Sequence, residues 1–212
     1  LFLLFVPFLV LWFGLWAYRQ KQWRPFFVST AIWVSIIVAA ILPFTILNYA
    51  RFGRFVLLNT NSGFAFFWGN HPIYGTHFIE VLPSSGTSYK DLIPPELLTL
   101  DEAALDQALM QRGLKFVTDD PVRYVLLSLS RIKSYFKFWP DPASGKLSNL
   151  ARVGSFGLFL PFMLYGVVRG VWRRSSSIWL LYLFMIAYTG IHLLSWALIR
   201  YRLPVDAVLV MF

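Results

Sequence analysis

Apolar positions run along this chain in long blocks, and polar positions gather into two kinds of interval between them. Residues 26–47 and 178–199 contain no Lys, Arg, Asp or Glu. At about 20 residues, each is long enough to cross the hydrocarbon core of a bilayer as a helix. Residues 1–17 and 153–170 read the same way, and another apolar run opens at Leu203. The expected elements are spans at 1–17, 26–47, 153–170 and 178–199, with a truncated one from Leu203. The chain opens on Leu1 and stops at Phe212 inside apolar runs, so it is expected to be a piece of a longer polytopic protein.

The long polar interval, 48–150, exceeds what a plain connector needs, since structureless loops beyond about 15 residues are uncommon. Its first part is rich in Gly, Pro, Asn and Ser and predicts turns, with short extended pieces around "RFVLL" (54–58) and "THFIEVL" (76–82). From Asp101 the period becomes helical. Leu105, Leu109 and Phe116, with Met110, Leu114 and Val117, form one apolar stripe. A second helix is expected at "DDPVRYVLLSLSRIKSYFKFW", capped by Asp119 or Asp120 with Pro121 at its first position. Val122, Val125, Leu126, Leu129, Ile132 and Phe136 fall on one side of it, and Arg123, Ser130, Ser134 and Lys137 on another. Such a basic, aromatic-ended amphipathic helix suits a membrane interface; the alternative is a helix packed on the rest of the loop.

Composition agrees with the pattern. The chain is 58% hydrophobic and only 14% charged, where a soluble domain carries about a quarter charged residues. The net charge of +9 does not point to nucleic acid, because the cations are placed by topology. Arg19, Lys21 and Arg24 sit between the first two spans, and Arg169, Arg173 and Arg174 between two later ones. Short loops with such clusters mark the cytoplasmic side. That puts 48–150 outside, and its ten basic and nine acidic residues leave it close to neutral. The segments are therefore 1–47, two spans; 48–150, an extracytoplasmic loop region; and 151–212, further spans. The location expected is the bacterial inner or plasma membrane. With no cysteine, disulfides and thiolate metal sites are excluded.

Nucleotide and hydrolase fingerprints are missing: no G-x-G-x-x-G, P-loop, H-E-x-x-H or G-x-S-x-G occurs. His71 and His77 are six apart near Glu80, but loop spacing without a third matched ligand is weak ground for a metal, and none is assigned. His192 lies within a span, where a neutral imidazole bonded to a neighbouring helix competes with a functional role. Arg200 and Arg202 leave a span on the outer side just before Pro204. Two arginines in a very short outer turn run against the positive-inside tendency. A lipid-linked phosphate, gripped by guanidinium groups, would explain them; snorkelling to headgroups is the plainer alternative.

Several of these elements, in order, resemble the polytopic GT-C glycosyltransferases, relatives of the dolichyl-phosphate-mannose–protein mannosyltransferases and the aminoarabinose transferases. Asn48-Tyr49 closes a span, a "fGrfv"-like piece follows at Phe52–Val56, then a turn at Thr60–Gly63 and a Gly-Asn-x-Pro element at Gly69–Pro72. Asp120-Pro121 opens a helix, and Tyr201–Pro204 forms a Tyr-Arg-x-Pro turn before a late span. Leu47 stands where the family's usual motif has an arginine, so no contact of that arginine carries over.

The resemblance implies a mainly α, GT-C-like transmembrane bundle with a large extracytoplasmic loop containing two helices and short extended pieces. It implies transfer of a sugar from a polyprenyl-phosphate donor to a lipid, glycan or protein acceptor at the outer face, with inversion. The family's acidic base lies in an upstream loop, often with a divalent metal ion, so no cofactor is assigned within these residues. Donor phosphate falls to Arg202 and Arg200, with Lys133 and Lys137 as outside candidates. Asn48, Tyr49, Asn70, His71 and Tyr201 would hydrogen-bond substrate or order the loop. The partners expected are the donor, the acceptor and membrane lipids, with no nucleic acid. A polysaccharide polymerase or ligase is the alternative. A transporter ranks lower, because the spans show no matched pair of broken, charged half-helices despite Pro43 and Pro161.

Overall fold

The structure, a computed structural model, describes residues 2–80, 88–142, 144–173 and 176–212. It is mainly helical, with no strand among the described residues. The helices are α1 (Phe2–Gln20), α2 (Trp23–Phe52), α3 (Ser62–Asn70), α4 (Glu102–Asp119), α5 (Pro121–Tyr135), α6 (Lys146–Arg152), α7 (Leu158–Trp172), α8 (Ser176–Leu194) and α9 (Leu203–Leu209). A π-helical turn, Val153–Gly157, joins α6 to α7. Three stretches are long and apolar enough to cross a membrane: Leu3–Gln20, Trp23–Phe52 and Lys146–Trp172. The packing divides the chain into two compact units, Leu1–Leu127 and Ser128–Phe212.

In the first unit, α1 and α2 are joined through Lys21, whose φ is 54°. No residue of α2 is buried, as expected of an apolar helix that relies on lipid or other helices for cover. At 30 residues it is about 45 Å long, so part of it extends beyond a hydrocarbon core of about 30 Å. It outlasts the expected end at residue 47 and stops at Gly53, which takes φ 64° and donates its N–H to the Tyr49 carbonyl. That left-handed C-terminal geometry is cheap for glycine.

Three sequence expectations are corrected in this unit. Residues 62–70 form α3 rather than a series of turns. Neither Gly63 nor Gly69 adopts a positive φ; among the described glycines only Gly53 and Gly75 do. Residues 54–58 and the described part of 76–82 contain no strand; Val81 and Leu82 lie outside the described residues. The reason is tertiary. The Asp106 carboxylate accepts from the backbone N–H groups of Gly63 (2.8 Å) and Phe64 (3.1 Å) and from the Ser62 hydroxyl (3.4 Å). It satisfies the first-turn donors that Asn61, at the N-cap, leaves unmet. A Cβ on Gly63 would overlap the Asp106 carbonyl, and one on Gly113 would come within 2.8 Å of the Phe66 ring. Two glycines thus let α3 and α4 approach closely around Phe67 and Leu109.

Both α4 and α5 carry an aspartate cap, of which only the one on α5 was expected. Asp101 accepts from the Ala104 N–H at 2.9 Å, and Asp120 from the Arg123 N–H at 2.9 Å, with Pro121 opening α5.

The second unit packs Phe156, Met163, Tyr182, Met185, Tyr188, Val205 and Leu209 into one core. The expected span 178–199 is not among the stretches long enough to cross a membrane: its apolar helix covers only Ile178–Leu194. Ser195 turns its hydroxyl back to the Ile191 carbonyl (2.7 Å), and Leu198 is extended before a 3-10 turn, Ile199–Arg202. Of the basic turn expected after α7, Arg174 lies outside the described residues.

Candidate functional site

The arginine turn is built from both ends of the second unit. Arg202 is 2% exposed. Its Nε donates to both carboxylate oxygens of Asp206 (2.8 and 3.1 Å), one helical turn onward in α9, and its Nη1 donates to the Tyr135 carbonyl (3.0 Å). The guanidinium carbon lies 3.4 Å from the centroid of the Phe156 ring, carried by the π-helical turn. Buried charge needs both a partner and satisfied donors, and Asp206, Tyr135 and Phe156 supply them.

Beside it stands a second buried guanidinium. Arg131 is wholly buried and donates through Nη1 to the Leu193 carbonyl (2.7 Å) and to the Ser128 hydroxyl (3.3 Å). The Leu193 carbonyl belongs to the last turn of α8, where backbone acceptors lose their intrahelical donors and a cation is favoured. Tyr135, one turn along α5, donates its hydroxyl to the Tyr201 carbonyl at 3.4 Å. Burial pushes the Tyr135 phenol up to about 12, against a smaller opposing pull from its hydrogen bond with Thr189. At neutral pH it is therefore a donor.

His192 fills the space between these groups. Its Nδ1 lies 3.3 Å from the Trp196 carbonyl; a carbonyl only accepts, so Nδ1 carries the proton. Nε2 is then an acceptor, buried and without a hydrogen-bond partner among the described residues. Tyr201 stacks on the imidazole with centroids 4.7 Å apart and planes at 15°, and Tyr188 approaches at 5.0 Å. Arg200 is the exposed member of the turn, its guanidinium carbon 5.3 Å from the centroid of the Tyr201 ring. The structure thus brings Arg200, Tyr201 and Arg202 together with Arg131, Tyr135, His192 and Asp206. Of the two lysines considered with them, Lys137 is paired with Asp141, while Lys133 is exposed on α5.

The other sequence candidates belong to the first unit. Asn48 donates its side-chain amide to the Val56 (3.2 Å) and Leu58 (3.0 Å) carbonyls, and Thr45 donates to the Leu57 carbonyl at 2.7 Å. These bonds fold the chain leaving α2 back along it. Tyr49 is exposed and serves through its carbonyl. Asn70 is fully buried, with its amide on the Phe66 carbonyl (3.0 Å) and its own carbonyl accepting from Arg123 Nη2 (3.1 Å). Arg123 Nη2 also reaches the Phe116 carbonyl (3.2 Å), so one guanidinium binds the ends of α3 and α4. His71 accepts the Ile73 N–H on Nδ1 (3.2 Å) and sits edge-on to Phe67 and Phe116. Burial, helped by the nearby Arg123 charge, holds its pKa below the ordinary 6.5. Asn48, Asn70 and His71 are thus each engaged in hydrogen bonds within the first unit. Among the described residues no group of three His, Asp or Glu is placed to hold a metal ion.

Sequence reasoning passed over Arg131, Tyr135 and Asp206. Asp206 was legible: a lone carboxylate in an apolar run, four residues after an arginine, is an i,i+4 partner. Arg131 was not, because its nearest charged neighbours in sequence read as a solvated face.

Comparison with known protein families, characterised proteins and solved structures finds no match.

Proposed function

We propose that the chain belongs to an integral, multi-pass membrane glycosyltransferase of the GT-C kind, which moves a sugar from a polyprenyl-phosphate donor to an acceptor at the outer face. The observation that carries this reading is the Arg200–Tyr201–Arg202 turn, a cationic turn held rigidly at the end of an apolar helix. Arg202 is neutralised by Asp206 and fixes the turn, while Arg200 is exposed and has no ion pair among the described residues. In the transfer, the acceptor oxygen bonds to the anomeric carbon as the carbon–oxygen bond to the lipid phosphate breaks. The bonding electrons leave with the polyprenyl phosphate. Negative charge grows on that phosphate in the transition state, so a cation already in position lowers the barrier. Arg200 supplies the cation and Tyr201 holds its guanidinium in place; the proton acceptor is not assigned to a residue of this chain.

The test is donor kinetics on Arg200→Ala and Arg200→Lys in the full-length protein, with a polyprenyl-phosphate sugar as donor. Loss of a hydrogen bond to a charged group is worth about 1.5–3 kcal/mol. Arg200→Ala should therefore lower kcat/KM for the donor about tenfold or more, with Lys recovering part of it and melting temperature unchanged. Unaltered kinetics in Arg200→Ala would remove Arg200 from the donor site.

A further inference from the structure

The amphipathic α5 is turned inside out relative to a helix of a water-soluble fold. Its buried positions are Leu127, Ser128, Arg131 and Tyr135, which recur at helical spacing and face protein. Its apolar positions Val122, Val125, Leu126, Leu129 and Ile132 are all exposed, from 42% at Ile132 to 69% at Val122. They form the opposite stripe of the same continuous helix, with Lys133 also exposed on it. A helix in water buries its apolar stripe and solvates its arginine; this one does the reverse. The reversal calls for an apolar medium on the stripe side.

The rest of the second unit indicates which medium. Arg131 donates to the Leu193 carbonyl in the last turn of α8, and Tyr135 meets the arginine turn that follows α8. The C-terminal half of α5 is thus hydrogen-bonded to the end of a helix that is apolar over Ile178–Leu194. Residues 136–145 then lead directly into Lys146–Trp172, one of the stretches long enough to cross a membrane. That link can extend at most about 35 Å. Trp139 lies on it, a residue type favoured at the boundary between headgroups and acyl chains.

We propose that α5 is an interfacial helix whose occupant is the lipid surface itself. Its polar face docks on the end of α8, its apolar stripe lies among the upper acyl chains, and Lys133 reaches lipid phosphates. The inference requires the chain to be membrane-embedded but does not depend on the transferase reading.

The test uses the full protein in phosphatidylcholine–phosphatidylglycerol vesicles, with single cysteines introduced one at a time. These 212 residues contain no native cysteine to interfere. Val125→Cys, Leu129→Cys and Ile132→Cys are spin-labelled, with Ile36→Cys on α2 as a lipid reference and Lys115→Cys as a water reference. All five positions are exposed, so the label has room. The expected result is faster relaxation by oxygen than by a water-soluble nickel chelate at 125, 129 and 132, as at 36, with the reverse at 115. If nickel dominates at 125, 129 and 132 while oxygen dominates at 36, the stripe faces water and the proposal is overturned. Low collision with both reagents means protein covers the stripe, which also overturns it. Nickel dominance at 36 as well defeats the membrane reading together with the proposal.

Discussion

Replacing Arg202 by methionine removes a charge without emptying its volume, and so isolates the buried pair. Three hydrogen bonds disappear, two to Asp206 and one to the Tyr135 carbonyl, along with the contact over Phe156. Removing one partner of a buried pair costs about 3–5 kcal/mol, largely from the charge left unpaired. The Asp206 side chain is 20% exposed, so water relieves part of that penalty and the expected loss is about 2–4 kcal/mol. For a chain of this size, 1 kcal/mol moves the melting temperature by about 2–4 °C, so a 3 kcal/mol loss lowers it by about 6–12 °C. Intrinsic tryptophan fluorescence of the detergent-solubilised protein reads the transition. Adding Asp206→Leu to Arg202→Met should restore several degrees, because no isolated charge then remains. A melting temperature for Arg202→Met within about 1 °C of the parent would refute the reasoning, as would a double variant less stable than the single one.

Other outcomes follow from the first unit. Asp106→Ala strands two backbone donors of α3 and should cost about 2–4 kcal/mol, whereas Asp106→Asn keeps one acceptor and should cost under about 1.5; denaturant unfolding compares them. Gly113→Ala drives a methyl to within 2.8 Å of the Phe66 ring and should cost about 1–3 kcal/mol by overpacking, seen as faster proteolysis near α3. His71 has a folded pKa below its unfolded 6.5, so the unfolded chain takes up the proton first. Its contribution is complete above pH 6.5, and it erodes as pH falls below that value towards the folded pKa. His71→Gln should therefore melt with a shallower acid dependence between pH 7.5 and 5, and an unchanged slope would rule the imidazole out. Spectrophotometric titration to pH 11 should leave one more phenol un-ionised in the parent than in Tyr135→Phe, since Tyr135 is pushed up to about 12.

What the sequence made legible, and what it hid, divide along the range of the forces. The spans expected at 1–17, 26–47 and 153–170 overlap the stretches Leu3–Gln20, Trp23–Phe52 and Lys146–Trp172, because apolar composition over a bilayer-length window is itself the cause of the structure. The start of α5 was readable because Asp120 and Pro121 act on their own turn. By contrast, Asn61-Ser62-Gly63 and Gly69-Asn70 carry turn chemistry, and Asp106 and Arg123, distant in sequence, hold the two ends of the helix between them. The stripe of α5 was visible, but its direction was not. Which face turns inward is decided by the Leu193 and Tyr201 carbonyls, contacts that no local pattern encodes. At the candidate site, the two arginines of the Arg-Tyr-Arg run at 200–202 drew attention, while the contrast between exposed Arg200 and buried Arg202 needed the fold.

The most direct measurement of the central claim is transfer itself. The full-length protein in vesicles is given a radiolabelled polyprenyl-phosphate sugar and a membrane extract containing acceptor. The account predicts label moving to the acceptor with stoichiometric release of polyprenyl phosphate, and a loss of about tenfold or more in Arg200→Ala. No release of polyprenyl phosphate from any polyprenyl-phosphate sugar, or equal transfer by parent and Arg200→Ala, would contradict it.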